Sequence, residues 1–144
     1  ASDVYKRQVL FGGLMNPTDT LDIGRGFTIK NRSCLAAMTN KQSNDDGTLS
    51  EEEITWLSRR AQGGFAIITT AAANVVEKGR GWDGEMGVWG DHQLPGLTKL
   101  ASQLNSHQTI SLVQLFHGGM RAPRELNGVQ PISASENTEA GMNV

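Results

Sequence analysis

Residues 111–119 read SLVQLFHGG, an apolar run that is closed by two glycines. Such a run is typical of a strand buried on both faces, as parallel strands under helices are. Gln114 stands in the middle of it. Because a buried carboxamide without partners costs on the order of 1 to 3 kcal/mol, the stretch predicts that either the protein or a ligand supplies partners for Gln114.

Two further apolar runs predict buried strands, SCLAAM at residues 33–38 and FAIITT at residues 65–70. Residues 50–64, SEEEITWLSRRAQGG, predict a helix, because Ser50 and Glu53 form a capping box and acidic residues precede arginines. Residues 91–107 predict a second helix, with leucines at helical spacing and Pro95 in the first turn. Alternating strands and helices predict right-handed βαβ units in a parallel sheet.

The remaining segments predict connections. Residues 21–32, LDIGRGFTIKNR, predict a hairpin that turns at its glycines, and residues 71–90 predict a long glycine-rich loop with Trp82 and Trp89. Residues 1–8 have neither helical nor strand periodicity and are interpreted as an unstructured tail or a remnant unrelated to the fold. Residues 9–144 are interpreted as one unit.

Two α/β architectures accommodate this order of elements. A doubly wound sheet requires a glycine-rich phosphate turn after its first strand, and MTNKQSNDDG at residues 38–47 contains no GxGxxG. A (β/α)8 TIM barrel places long functional loops after each strand, which fits the three runs better. Since such a barrel needs ~250 residues, we expect the chain to be its N-terminal part, with the first three strands.

Composition excludes several classes of function. The chain has 144 residues, 38% hydrophobic and 19% charged, with a net charge of −2, which argues against nucleic acid as a partner. The longest apolar stretch, residues 65–76, is shorter than the ~18 residues of a membrane span. Cys34 is the single cysteine, so no disulfide can form within the chain, and we expect a cytoplasmic protein.

In a barrel, ligands lie at the carboxyl ends of the strands, which makes the residues there the candidates for a site. They are Ala37, Met38, Thr39, Thr70, Ala71, Gln114 and His117. The sequence shows no paired carboxylates, metal-ligand cluster, Ser/His/Asp set or P-loop. Small residues with one threonine and one glutamine favour a planar cofactor that carries the reactivity itself.

Four motifs occur in order along the chain: KNRSCLAAMTN, RRAQGGFAIITT, GVWGDHQLPGLTKL and LVQLFHGG. Together they resemble the N-terminal part of the Old Yellow Enzyme family, the FMN-dependent NAD(P)H:flavin oxidoreductases that reduce activated alkenes. The resemblance runs from about Leu10 to the end of the chain. It implies a (β/α)8 barrel whose bottom is closed by a short β-hairpin.

The resemblance also implies roles for individual residues. The FMN contacts that it implies are Ala36, Ala37, Met38, Thr39, Ala71 and Gln114. Thr39 would donate to the C4 carbonyl edge of the flavin, and the Gln114 carboxamide would pair with the C2 carbonyl and N3–H. Lys41 would approach the substrate or a nicotinamide phosphate. The sequence departs from the family at Ala37, where proline is usual, and at Met120, where arginine is expected.

For function, the resemblance implies that NAD(P)H reduces the flavin and that hydride passes from flavin N5 to an α,β-unsaturated carbonyl compound. The family's His/His or His/Asn pair, its tyrosine and the FMN phosphate site are expected beyond Val144. The 144 residues of this chain alone are therefore expected to be inactive. The partner is a small-molecule substrate, and a homo-oligomer of the full-length protein stays open. Two alternatives also stay open, a non-catalytic barrel that has lost flavin and binds a partner, and another FMN-barrel dehydrogenase.

Overall fold

The computed structural model describes residues 16–136 and the backbone of two short strand segments, Thr138–Glu139 and Met142–Asn143. The predicted tail, residues 1–8, lies outside the described residues. The strands are β1 (Leu21–Gly24), β2 (Phe27–Ile29), β3 (Cys34–Leu35), β4 (Ile67–Asn74), β5 (Met86–Gly87), β6 (Ile110–Phe116), β7 (Thr138–Glu139) and β8 (Met142–Asn143). The helices are α1 (Glu51–Gln62), α2 (Leu94–Ser106) and α3 (Arg124–Asn127).

The central strand of the sheet is β4, which pairs in parallel with β6 along one edge. Its other edge pairs in parallel with β3 at Ile67 and Ile68, and with β5 at Ala73 and Asn74. Helix α1 follows β3, and α2 follows β5, so each crosses back over the sheet before the next long strand. These are the βαβ units that the sequence predicts.

The predicted hairpin is confirmed as β1 and β2, which pair antiparallel and turn at Gly24, Arg25 and Gly26 with positive φ angles of 91°, 54° and 80°. The segment after it is bonded near the amino ends of the sheet strands. The Asn31 side chain donates to the Gly64 carbonyl at 2.7 Å, ahead of β4. The Lys30 ammonium donates to the His107 carbonyl at 2.6 Å, ahead of β6.

Both predicted helices are confirmed and cover one face of the sheet. The buried side chains of α1 (Ile54, Leu57, Ala61) and α2 (Leu100, Leu104) pack with Leu35, Leu49, Ile68, Ala73 and Met86 in one core. Pro95 lies in the first turn of α2, as expected. Ser50 Oγ accepts from the Glu53 amide at 3.1 Å, which caps α1. The reciprocal half of the predicted capping box is wrong, because the Glu53 carboxylate accepts its hydrogen bonds elsewhere.

The predicted strand boundaries need two corrections. The first predicted strand, residues 33–38, is regular only at Cys34–Leu35. The second does not end at residue 70, because β4 continues through three alanines to Asn74. These alanines lack the β-branched signal of a strand, but Ala72 pairs with β6 and Ala73 pairs with both β5 and β6, which keeps the segment extended.

Burial of β6 differs from the prediction. The strand was expected to be buried on both faces, yet Leu112, Val113, Gln114 and Leu115 are exposed, with Leu115 at 68%. The reason is its position, since β6 pairs only with β4 within the described residues and therefore forms an edge of the sheet. The unpaired edge and its apolar side chains constitute a surface suited to pairing with another chain.

We therefore expect the 144 residues, expressed alone, to self-associate. Replacing Leu115 by lysine should reduce the association, because a charge on an edge strand opposes pairing with a second edge. Size-exclusion chromatography with light scattering measures the effect. Thr98→Lys, on the exposed side of α2, adds the same charge away from the edge and serves as the control. A monomer that melts cooperatively without either change would contradict the expectation.

Candidate functional site

The pairing register shows which side chains face away from the helices. Ile68 and Ala73 of β4 both belong to the core under α1 and α2. Side chains alternate along a strand, so Ala72 points to the opposite face. Gln114 pairs with Ala72 in the parallel register and therefore shares that face. The structure thus places the Gln114 side chain on the helix-free face of the sheet, near its carboxyl end.

A β-bulge lies between Thr69 and Ala72, where β4 has one more residue than β6. Thr70 in the bulge is buried, and its hydroxyl donates to the Ala71 carbonyl at 2.7 Å. The same hydroxyl accepts from the Gln114 amide at 3.4 Å. The Thr70 side chain thus replaces one of the main-chain hydrogen bonds between β4 and β6 that the extra residue disrupts. The bulge therefore fixes the backbone beside Gln114.

The structure distinguishes two neighbouring alanines. Both are buried, but Ala71, the predicted cofactor contact, lies inside the bulge, whereas Ala72 is the direct partner of Gln114. Sequence reasoning missed Ala72 because it ended the strand at Thr70 and had no signal for a bulge. Both side chains are small enough to let a flat group approach the backbone.

The Gln114 carboxamide makes no hydrogen bond to any other residue in the described part of the chain. Because Gln114 is exposed, its amide is not under the penalty for burial from which the sequence argument started. Its two donors and its carbonyl are nevertheless held on one face and open to a ligand. Of the two sources that the sequence leaves open for its partners, the protein or a ligand, the described residues do not supply them.

The remaining predicted contacts follow β3 directly. Ala36, Met38 and Thr39 are exposed and Ala37 is half-buried. Lys41 is exposed and has a positive φ of 54°. Since Leu35 is paired with Ile68 of β4, the loop of residues 36–43 starts on the strand next to the one that carries Ala72. The structure thus brings the predicted residues to the carboxyl ends of adjacent strands, without a direct hydrogen bond from Ala36, Ala37, Met38, Thr39 or Lys41 to Gln114.

The loops after β3 and β4 are joined by main-chain hydrogen bonds. The Ser43 amide donates to the Gly84 carbonyl at 3.2 Å, and the Gly87 amide donates to the Gly47 carbonyl at 2.9 Å. The Arg80 guanidinium also donates to the Asp45 carbonyl at 2.7 Å. The two loops therefore form one continuous rim.

The loop after β6 joins the same rim. The Gly118 amide donates to the Gly79 carbonyl at 2.8 Å. The Asn127 carboxamide donates to the Arg80 carbonyl at 2.8 Å and accepts from the Arg80 amide at 3.2 Å, as a paired strand residue does. Trp82 packs on Phe116 with ring centroids 5.1 Å apart. The tryptophan is in loop packing here.

His117 is held within this rim. Its Nδ1 accepts from the Gly119 amide at 2.8 Å. An imidazole nitrogen that accepts a hydrogen bond carries no proton, so the neutral ring has its proton on Nε2. A side chain at Gly79 would lie 2.6 Å from Nε2, which shows how closely the ring is packed. These contacts give His117 a structural role in joining the loops.

Glu85 is the buried carboxylate of the rim. Its Oε2 accepts from the Gly81 amide at 2.6 Å, while Oε1 has no partner among the described residues. Burial raises the pKa of Glu85, an effect that the Gly81 and Trp82 amides and the charge of Arg80 partly oppose. The neutral carboxylic acid is consequently favoured to a higher pH than in an exposed glutamate.

An open cavity of about 200 Å³ lies on another part of the rim and is lined by Asp45, Asp46, Glu77, Arg80, Trp89 and His92. Hydrogen bonds from Thr48 lower the pKa of Asp46. None of the predicted cofactor contacts lines this cavity. Among the described residues, no cluster of His, Cys, Asp and Glu could hold a metal ion, and no helix is long and apolar enough to cross a bilayer.

Parallel strands with helical crossovers, and an open amide and small side chains at their carboxyl ends, are typical of a segment of a (β/α) barrel, a fold in which ligands lie at the carboxyl face. The profile of the NADH:flavin oxidoreductase / NADH oxidase family matches residues 17–143. The chain belongs to this family, which uses FMN with NADH or NADPH as reductant, and the predicted resemblance to the Old Yellow Enzymes is confirmed.

Individual relatives agree. The chain is 39% identical over 101 residues to a probable NADH-dependent flavin oxidoreductase, YqiG, of Bacillus subtilis. The matched region covers 70% of this chain and 27% of the relative. It is 36% identical over 118 residues to an NADH:acrylate oxidoreductase of Vibrio harveyi. That match covers 81% of this chain and 12% of the relative. The chain therefore spans about a quarter or less of these two proteins.

Among solved structures, an Old Yellow Enzyme homologue from Zymomonas mobilis superposes with a TM-score of 0.77 at 25% identity. The match covers 85% of this chain and 34% of that one. This confirms the predicted TIM-barrel fold, of which the chain forms part.

Replacing Gly84 by alanine tests the contact between the first two loops. Gly84 has a φ of 71°, and an added Cβ would lie 2.6 Å from the Lys41 carbonyl oxygen. Gly128 has a φ of 66° with nothing within 4 Å of an added Cβ, so Gly128→Ala carries the backbone strain alone. We expect Gly84→Ala to lower the free energy of unfolding by about 1 to 3 kcal/mol more than Gly128→Ala in urea titrations. Equal losses would show that the loops separate easily.

Glu85→Gln tests the buried carboxylate. Because the folded state raises the pKa of Glu85, the folded protein binds the proton more tightly, and this contribution to stability is lost as pH rises above the unfolded pKa. Glutamine keeps the acceptor for Gly81 and has no charge to bury. We expect the variant to gain in Tm relative to wild type between pH 4 and pH 7.5. Glu52→Gln, exposed on α1, is the control and should show no such trend.

Proposed function

We propose that this chain supplies the FMN-facing ends of three neighbouring strands in an NAD(P)H-dependent oxidoreductase that reduces C=C bonds conjugated to a carbonyl group. The observation that carries the proposal is the Gln114 carboxamide, which has no partner in the described residues and lies beside Ala72 on the helix-free face. Because the chain spans at most about a third of the compared proteins, the activity of the whole protein is part of the proposal.

The residues present fit a flavin in chemistry and in size. A carboxamide has donors and an acceptor side by side, and the pyrimidine edge of a flavin presents a carbonyl acceptor beside an N–H donor. Ala71 and Ala72 add little bulk beside Gln114. The FMN, when bound, supplies hydride transfer between the nicotinamide and the substrate.

The loop after β3 contributes the second set of contacts. We assign the exposed Thr39 hydroxyl as a donor to the flavin, where it would stabilise negative charge on the reduced ring. Ala36, Ala37 and Met38 would lie along the ring, and Lys41 would approach the substrate or a nicotinamide phosphate. The carbonyl-activating pair, the proton donor and the phosphate site are expected outside this chain, so the 144 residues alone should be inactive.

The class of substrate is supported by the relative that is named for acrylate. Acrylate is an alkene conjugated to a carboxylate, which is the kind of double bond that accepts hydride at its β carbon. We extend this class to the present protein as α,β-unsaturated carbonyl compounds.

A reducing compartment, predicted as the cytoplasm, agrees with the exposed free thiol of Cys34.

The proposal predicts that the protein, purified at its full natural length, is yellow and loses its flavin absorption when NADH or NADPH is added without oxygen. The bleached protein should regain its colour on addition of an enone or acrylate, with formation of the saturated product. Gln114→Leu should weaken FMN binding about tenfold, because two hydrogen bonds of about 1 kcal/mol each are lost and partly offset by water. Gln62→Leu, at the exposed end of α1, is the matched control and should bind FMN normally.

The other outcomes separate the alternatives. A colourless protein that FMN cannot reconstitute would contradict the proposal and favour a non-catalytic barrel. A flavin that bleaches with NADPH but is not reoxidised by alkenes would indicate another FMN-barrel dehydrogenase.

A further inference from the structure

The loop that follows β3 is held by one side chain of α1. Glu53 is fully buried, with 0% of its surface exposed. Its Oε1 accepts from the Asn40 carboxamide at 2.9 Å, and its Oε2 accepts from the Ser43 hydroxyl at 2.5 Å. Both donors belong to the loop, so a single carboxylate ties two points of it to the helix.

The two tethered residues lie next to the loop residues that the proposed function uses. Thr39 immediately precedes Asn40, and Lys41 lies between the two tethered residues with a φ of 54°. Asn40 also accepts from the Gln42 amide at 3.4 Å, which continues the turn that directs Lys41 outward. Fixing Asn40 restricts the peptide that leads from Thr39, and hence the direction of the Thr39 side chain.

The helix also fixes Glu53 itself. Its main-chain amide donates to the Ser50 cap at 3.1 Å, so the residue is fixed through its backbone at the first turn of α1. In a capping box the side chain would turn back to the cap, but here it reaches the loop. A buried carboxylate that accepts two hydrogen bonds is retained in place, since breaking either would leave an unpaired buried oxygen.

We infer that Glu53 is a positioning residue for the flavin site, which sets the Thr39 hydroxyl against the cofactor by holding Asn40 and Ser43. This inference rests on the proposed function, because it assumes that the loop contacts FMN. It does not require Glu53 to touch the cofactor.

The inference is tested by a double-mutant cycle on FMN affinity in the full-length protein, measured by quenching of FMN fluorescence. Thr39→Val removes the hydroxyl and should raise the Kd about five- to tenfold, the effect of one hydrogen bond. Glu53→Gln keeps the size but has one side-chain acceptor in place of two, so it cannot accept from both Asn40 and Ser43 as the carboxylate does. We expect it to raise the Kd about threefold or more in wild type and to have little effect in Thr39→Val.

Equal factors for Glu53→Gln in both backgrounds would overturn the inference, because a merely structural role adds independently of Thr39. No effect of Glu53→Gln on the Kd would also overturn it. Glu52→Gln, on the exposed side of the same helix, is the matched control. If wild type itself does not bind FMN, the proposed function fails and the inference fails with it. This outcome differs from failure of the inference alone, in which wild type binds FMN but Glu53→Gln shows no coupling to Thr39.

A second variant covers loss of folding. If Glu53→Gln does not fold, as judged by circular dichroism, Asn40→Ala breaks the same tether from the loop without disturbing the core. It should reproduce the coupling with Thr39→Val and lower the midpoint reduction potential of the flavin, because the donor to the reduced ring is displaced. An unchanged potential, with Thr39→Val lowering it, would contradict the positioning role.

Discussion

The structure depends on β4 being paired along both edges. Six of its eight residues are in register with β6 on one side, and its two ends pair with β3 and β5 on the other. Parallel strands require long connections, so this pairing brings α1 and α2 onto the same face and carries the loops to the other end of the sheet. The core and the candidate site therefore lie on opposite faces of one strand.

The loops at the carboxyl end are joined directly to one another. Their contacts are mainly main-chain hydrogen bonds and side-chain bonds to main-chain atoms, such as those of Asn127 with Arg80. Bonds to the backbone constrain shape without constraining which side chains point outward. An arrangement of this kind holds the ends of the strands in place while leaving the exposed positions free to differ in chemistry.

Much of the fold could be predicted from the sequence, and the reasons for failure are physical. Ser50 and the leucines of α2 identify the helices because caps and periodicity act locally. The end of β4 could not be predicted, since alanines 71–73 are extended only through their neighbours. Gln114 is predicted on the strand where the structure has it, but its exposure depends on what pairs with β6, which is a long-range property. The direction of the Glu53 side chain was missed because the Ser50 and Glu53 pattern of a capping box is the same whether the carboxylate turns back to the cap or reaches the loop after β3.

The bulge at Thr70 and Ala71 has a consequence for how related sequences are compared. One extra residue reverses the alternation of faces, so Ile68 and Ala73 face the same core although they are five positions apart. The bulge falls beside three consecutive alanines. If an alignment gap is moved by one position there, alanine is still aligned with alanine, so the two alignments score the same. Sequence comparison alone therefore cannot decide which alanine of a relative lies on the helix-free face of the sheet. Only the strand register, read from a structure, determines that correspondence.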